Sequence, residues 1–215
     1  MRTKKGIWSI LLFAALFFAQ GAWAQEEFVE GVDYQLLNPP MRTDNPAKVE
    51  VAEYFWYGCP HCFHMEPLMR KWEATMPATA EFVRVPADFD GRWGLMARAY
   101  YTAQILGVLD KVHEPLFNAI HVKKEQFTSE EQLADFFKEF GVSADDFAKA
   151  FHSFAVESKY RRAVSLTRKS GIDGVPAIIV NGKYRTSATI TGSTDRMFQV
   201  VNYLIAKEAA AIPAQ

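Results

Sequence analysis

The 215-residue chain has only two cysteines, too few for the disulfide framework that staples small secreted domains. It has no excess of basic charge. Its 24 Lys and Arg stand against 25 Asp and Glu, which gives no support for a nucleic-acid partner. There is no internal repeat and no low-complexity linker. A composition of 49% hydrophobic and 23% charged residues excludes collagen-like and disordered classes. Past residue 24, no apolar run is long enough to span a membrane. What is present is concentrated: both cysteines fall in one tetrapeptide, Cys59-Pro60-His61-Cys62.

The first residues read as an address. Arg2, Lys4 and Lys5 precede an apolar run from Ile7 to Ala19, broken only by Ser9, and Ala22-Trp23-Ala24 follows. This is the three-part layout of a secretory signal peptide cleaved after Ala24. The run is short of the ~20 residues a membrane span needs. An uncleaved anchor is the competing reading, with Gln20 and Gly21 in a tilted helix. A secreted chain is expected to work in an oxidising, extracytoplasmic compartment.

Segments 25–47 are turn-rich, with Pro39, Pro40 and Pro46. Val49 to Trp56 carries β-branched and aromatic residues and reads as a strand ended by Gly58. Pro60 to about Met76 reads as a helix, and Phe82 to Val85 as a second strand stopped by Pro86. From Arg92 to Phe154 the periodicity is helical. Gly107 and Gly141 stand at expected helix ends, Thr128 with Glu131 fits a capping box, and Ser143 opens another helix. A further helix covers 157–170. Pro176 to Val180 and Lys183 to Thr186 then flank Asn181-Gly182, a hairpin turn signal, and Ser193 caps a last helix. The expectation is an α/β domain with a mixed sheet and a helical insertion. Residues 1–24 are the signal peptide, 25–90 and 156–215 the two parts of the α/β domain, and 91–155 the insertion.

Cys59 follows a strand and turn, and Cys62 lies three residues on, so both sulfurs can share one face of a first helical turn. At the helix N-terminus, free backbone N–H groups and the dipole favour the Cys59 thiolate, the reactive form. Pro60 suits that turn because its missing N–H has no helical partner there. His61 can add a hydrogen bond or positive charge, and Phe55, Trp56 and Tyr57 shield one side. This spacing serves dithiol–disulfide exchange, with Cys59 exposed and attacking and Cys62 more buried and resolving. Two other readings stand beside it. A structural disulfide would close too tight a loop to remove much chain entropy. A metal site could draw on Cys59, His61, Cys62 and His64, copper sooner than zinc, but no other cysteines complete it. Covalent haem attachment needs His at 63, which is Phe.

Phe55-Trp56-Tyr57-Gly58-Cys59-Pro60-His61-Cys62 resembles the active site of the DsbA family of periplasmic thiol:disulfide oxidoreductases, of thioredoxin fold. The resemblance covers nearly the whole mature chain. Gly174-Val175-Pro176 and Val180-Asn181-Gly182-Lys183-Tyr184 are similar to the family's second motif. It implies a thioredoxin fold with an inserted helical domain, and a cis Pro176 lying across from Cys59. It further implies that Val175 and Pro176 bind an extended client strand through main-chain groups. Glu53 stands at an offset where the family carries a glutamate, which favours a buried acid near Cys62 over a surface carboxylate. Such an acid can relay the Cys62 proton.

The implied activity is donation of the Cys59–Cys62 disulfide to newly translocated, cysteine-containing proteins in the periplasm. No cofactor or metal is expected beyond the redox-active disulfide itself. A DsbB-like quinone-linked inner-membrane oxidase is the implied reoxidant, and the protein is expected to be a monomer. Rival readings are a thioredoxin-like reductase or isomerase, or a non-enzymatic copper-binding or chaperone module. Other features read plainly. His64 is a surface or packing residue, and His113, His121 and His152 are expected to be exposed. The phenylalanines of 127–154 are helix-packing core, some of them rimming a client groove. Lys159, Arg161 and Arg162 form a solvated helix face.

Overall fold

The computed structural model describes residues 28–212. The expected signal peptide and its cleavage site lie outside them. Among the described residues, no helix is long and apolar enough to cross a membrane.

One five-stranded sheet organises the chain, in the order β1-β5-β4-β2-β3. Its central strand β2 (Val49–Phe55) is buried along nearly its whole length. On one side it runs parallel to β3 (Ala80–Pro86), reached through helix α1 (Pro60–Glu73). On the other it runs antiparallel to β4 (Ala177–Val180), which turns back into β5 (Tyr184–Thr186). Alternating side chains divide between two cores. Val49, Val51, Ile178 and Val180 pack with Met65, Met69 and Trp72 of α1 and with Met197, Val200, Val201 and Leu204 of α8 (Thr194–Ala209). Ala52, Tyr54, Ala177 and Ile179 face the larger core, which is continuous with the helices between β3 and β4.

Those helices are α2 (Gly94–Ile105), α3 (Leu109–His121), α4 (Glu130–Lys138), α5 (Ala144–Phe151) and α6 (Phe154–Ser170). Several ends follow the residues that signalled them. Gly107 and Gly141 have positive φ, and the Ser143 and Ser193 side chains accept from the N–H groups of Asp146 and Arg196. Four details differ from the sequence reading. The capping box is one residue later, Ser129 with Gln132, because Gln132 Oε1 collects the N–H groups of both Thr128 and Ser129. Helix α6 begins at Phe154, where Ser153 caps the N–H of Val156. Phe154 itself is 87% exposed, so it is neither core nor groove lining, while Phe136, Phe137, Phe147 and Phe151 are buried as expected. Two short elements had no periodic signal: β1 (Gln35–Leu36), which pairs with β5, and α7 (Ala188–Thr191). On α6 the Arg161 and Arg162 side chains are exposed and pair with Glu157 and Asp44.

The β4–β5 turn is tightly specified. Asn181 and Gly182 have φ of 50° and 63°, the left-handed pair a two-residue hairpin uses. Met41 N–H donates to the Gly182 carbonyl at 2.8 Å, drawing that segment so close that a Cβ on Gly182 would sit 2.3 Å from the Met41 carbonyl oxygen. Gly182→Ala is therefore expected to lower stability by about 1–3 kcal/mol, read as a drop in thermal midpoint. An unchanged midpoint would show that this segment yields freely.

Candidate active site

Strand β2 delivers the chain through Trp56-Tyr57-Gly58 into Cys59, the N-cap of α1. Cys59 is extended, at φ −85° and ψ 118°, with Pro60 opening the helix. Its N–H donates to the Trp56 carbonyl at 3.0 Å, and its carbonyl accepts from Phe63 at 3.1 Å. The first turn of α1 carries no acidic residue, so nothing offsets the positive end of the helix under the Cys59 sulfur. Gly58 leaves room for the Trp56 ring, which a Cβ there would meet at 2.3 Å. That ring is stacked on Trp93 at 4.4 Å, tying the turn to the start of α2.

Both cysteines are free thiols, and both are buried. Cys62 is 1% exposed, and Cys59, expected to be exposed, is only 7% exposed. The covering comes in part from the Val175–Pro176 segment. This peptide bond is cis, and the Val175 carbonyl oxygen lies 3.4 Å from the Cys59 Sγ. The two thiols differ sharply in acidity. The Cys62 thiol donates to the Cys59 sulfur, and this bond, against the cost of burial, is the largest of the effects that lower the Cys59 pKa from 9.0 to about 6. Backbone N–H groups of Cys62 and His61 and the His61 charge add to it. Burial pushes the Cys62 thiol up, and its role as donor to Cys59 pushes it further.

Glu53 is 1% exposed, and burial raises its carboxyl from 4.5 to about 8 against the pull of Arg84. Glu53 also contributes to the rise at Cys62. The parallel register places Arg84 opposite it, with Arg84 Nε 3.3 Å from Glu53 Oε2. The same guanidinium reaches Glu66 at 3.0 Å and Glu73 at 3.8 Å. Arg84 and Glu66 were missed by the sequence reading. Glu66 stands one helical turn beyond Cys62, a spacing that places it on the same face.

Two histidines expected at the surface belong here instead. His113 is 8% exposed and lies 2.7 Å from the Tyr57 hydroxyl. His121 is half-buried, stacks on Phe63 and donates from Nε2 to the Tyr57 carbonyl at 2.7 Å. With Phe117 between them, they form one face of α3 at four-residue intervals, a signal open to a helical reading. Of the three histidines expected at the surface, His152 alone is exposed, paired with Glu130. His64 is exposed and helps line a groove of about 420 Å³ with His61, Leu68, Val175 and Pro176. Among the described residues, no three His, Cys, Asp or Glu side chains are grouped to hold a metal ion.

Two thiols so unequal in acidity on one helical turn can take up or give out an electron pair with another dithiol, and their scaffold is a mixed sheet flanked by helices. The class is therefore that of thioredoxin-fold dithiol–disulfide oxidoreductases. A family model described as a DSBA-like thioredoxin domain matches residues 72–204. The chain is 40% identical over 206 residues to the thiol:disulfide interchange protein DsbA of Pseudomonas syringae pv. tomato, covering 96% of each. It is 36% identical over 205 residues to the protein of that name from Pseudomonas aeruginosa, covering 95% of this chain and 97% of the other. The crystal structure of Pseudomonas aeruginosa DsbA superposes with a TM-score of 0.81 at 37% identity, covering 86% of this chain and 96% of that one. The chain belongs to the DsbA family.

Two outcomes follow from the thiol pair. Cys62→Ala removes the donor to Cys59 and is expected to raise the Cys59 pKa by about one unit or more, whereas Cys62→Ser keeps a donor and shifts it less. Titration of the thiolate ultraviolet absorbance reads both, and equal shifts would remove the hydrogen bond from the account. The second outcome concerns stability. A thiol with a depressed folded pKa adds stability above its unfolded value and loses it as pH falls through about 6. The stability of the reduced protein relative to the oxidised one should therefore shrink by roughly 2–3 kcal/mol between about pH 8 and pH 5. Chemical denaturation of each form across this range measures it, and a flat difference would contradict the shift.

Proposed function

We propose that this thiol:disulfide oxidoreductase acts as a dithiol oxidase in the periplasm, passing its Cys59–Cys62 disulfide to newly translocated proteins. The acidity gap between Cys59 and Cys62 is the observation that carries this reading. Cys59 with a pKa of about 6 stabilises the reduced enzyme and so makes its disulfide a good electron acceptor. At pH 7 this shift amounts to about 1.4 kcal/mol, or ~30 mV, over a pair with an unshifted thiol.

In the forward reaction a client thiolate attacks Cys59 Sγ. The Cys59–Cys62 bond breaks, a client–Cys59 bond forms, and Cys62 leaves as a thiolate. Its high proton affinity draws a proton at once, and the Glu53 carboxyl is the nearby acid suited to supply it. A second client thiolate then attacks the client sulfur of the mixed disulfide and expels Cys59, a good leaving group because its thiolate is stable. The client has lost two electrons, and the enzyme holds them as one thiolate and one thiol.

Reoxidation reverses the order. Cys59 attacks a partner disulfide, Cys62 returns its proton to Glu53, and the Cys62 thiolate attacks Cys59 to release the reduced partner. A DsbB-like quinone-linked membrane oxidase fits that partner. The two sulfurs carry the electron pair, so the cycle as written needs no bound cofactor, and a monomer suffices for it. Val175 and Pro176 flank the reactive sulfur, where an extended client strand can pair with the main chain. Exposed His61 supplies charge at the same edge, and Pro60 sets the helix start without leaving an unpaired N–H.

The test is equilibrium of the metal-free protein with a glutathione redox buffer, alongside a trapping experiment. The pair is expected to lie on the oxidising side of thioredoxin, for which E°′ is about −270 mV. Cys62→Ala should accumulate a covalent mixed disulfide with a disulfide-bearing client: Cys59 attacks the client disulfide, the client's other sulfur leaves as a thiolate, and no Cys62 is present to resolve the bond. A potential as reducing as that of thioredoxin would move the assignment to a reductase. Client binding without a covalent link would move it to a chaperone.

A further inference from the structure

His113 is buried in the network beneath the cysteines, yet no step of the cycle above uses it. It extends from α3 between two elements that flank the active site. Its Nδ1 lies 2.7 Å from the Tyr57 hydroxyl, and its Nε2 lies 3.4 Å from Glu66 Oε2. Burial raises the Tyr57 pKa, so the phenol keeps its proton and donates it to Nδ1. The imidazole proton then sits on Nε2 and points at Glu66. Burial also disfavours a second proton on the ring, so His113 is held as the neutral tautomer.

Glu66 has one other close partner in the buried site, and it shares that partner. The Arg84 guanidinium divides between Glu66 Oε1 at 3.0 Å and Glu53 Oε2 at 3.3 Å. The supply of hydrogen bonds is short at this point: Glu53 Oε2, Arg84 Nε and His113 Nε2 are all buried without a full-strength hydrogen bond. Two buried carboxylates thus compete for one cation. Glu66 is held below the usual carboxylate range because, against burial, the His113 hydrogen bond and Arg84 and Arg70 outweigh the penalty. Glu53 rests on Arg84 alone.

We propose that His113 is a positioning residue for proton exchange at Cys62: by donating to Glu66 it leaves Arg84 beside Glu53, and so sets the pH range in which Cys62 gives up its proton. This rests on the reading of Glu53 as the acceptor of that proton. The groups facing Glu53 are Arg84 from β3, Cys62, Glu66 and Glu73 from α1, and Tyr100 from α2. Those facing His113 are Glu66 and Arg70 from α1, Arg84 from β3, Tyr57, and the Tyr100 ring at 5.9 Å. None of them can replace the Nε2–H toward Glu66, since Tyr57 is engaged at Nδ1 and the nearby cation is the contested one. Without His113, Glu66 draws Arg84 to itself. Glu53 then loses its counter-charge and holds its proton to higher pH, and it accepts the Cys62 proton only there.

The experiment follows the Cys62 step by itself. The full-length protein is prepared with glutathione in mixed disulfide with Cys59, and the rate of glutathione release is measured against pH. His113→Leu is expected to move the midpoint of this profile up by about one unit, a tenfold slower release on the rising limb. His113→Gln should return it toward the native position, because its carbonyl can accept from Tyr57 and its amide can donate to Glu66. Phe117→Leu, which loosens the packing of α3 without touching the network's polar atoms, should cost stability and leave the midpoint in place. Glu66→Gln ends the competition and should move the midpoint down. In that background the loss of His113 should add nothing, which keeps the test open if His113→Leu alone does not fold. A uniform slowing at every pH, failure of Gln to restore the profile, or a further shift in the Glu66→Gln background overturns the proposal. Glu53→Gln separates it from its premise. If that change leaves the native profile intact, the Glu53 role itself falls and the inference with it. If the profile collapses there but His113→Leu does not move it, only the inference falls.

Discussion

The hydrogen bond from the Cys62 thiol to the Cys59 sulfur governs the site. It lowers one pKa and raises the other in a single contact. Helix geometry makes it possible, because residues three apart share a face and the first turn has N–H groups to spare. Burial makes it strong, because Cys62 has no water to take the place of its partner. Much of the surrounding fold serves to hold this contact at the end of the central strand. Strand β2 aims the chain, Gly58 lets the Trp56 ring close on the turn, and the Val175–Pro176 segment leading into β4 covers the sulfur from the other side.

The contact needs a means of moving a proton in and out of a dry interior. In the proposed cycle Glu53 provides it, and the sheet places that carboxyl by register. Glu53 points inward from β2, and its parallel neighbour β3 sets Arg84 against it. An unpaired buried carboxylate would simply stay protonated, whereas one fully paired with arginine would stay charged. The shared guanidinium leaves Glu53 between these limits, its carboxyl raised to about 8. The α3 face enters the same arrangement, since His113 and His121 hold Tyr57 by its hydroxyl and by its carbonyl, two residues from the reactive cysteine. The helical part of the molecule is thereby bonded to the active-site turn.

The sequence made legible what depends on local chemistry. The thiol pair, the proline after it, the Asn181-Gly182 turn, the serine caps and the main strands each carry their signal within a few residues. Glu53 was readable only through its offset from the cysteines. What escaped depends on pairing between distant segments. Arg84 looks like any surface arginine until β3 is placed in parallel register beside β2. His113 and His121 look scattered until α3 is folded against Tyr57. Cys59 proved more covered than its reactivity suggested, because the segment covering it lies over a hundred residues away along the chain. Strand β1 is two residues long and exists only because β5 offers it an edge.

The Val175 carbonyl gives the reactive sulfur two unlike sides. Toward the helix, Cys59 meets only donors: the Cys62 thiol and the backbone N–H groups of His61 and Cys62. Away from the helix it meets the Val175 carbonyl oxygen, and the residue that follows is a proline with no N–H to offer. Negative charge on the sulfur is drawn inward and repelled outward. Charge that returns to Cys59 when a mixed disulfide is broken is therefore held better on the helix side of the sulfur than on the Val175 side.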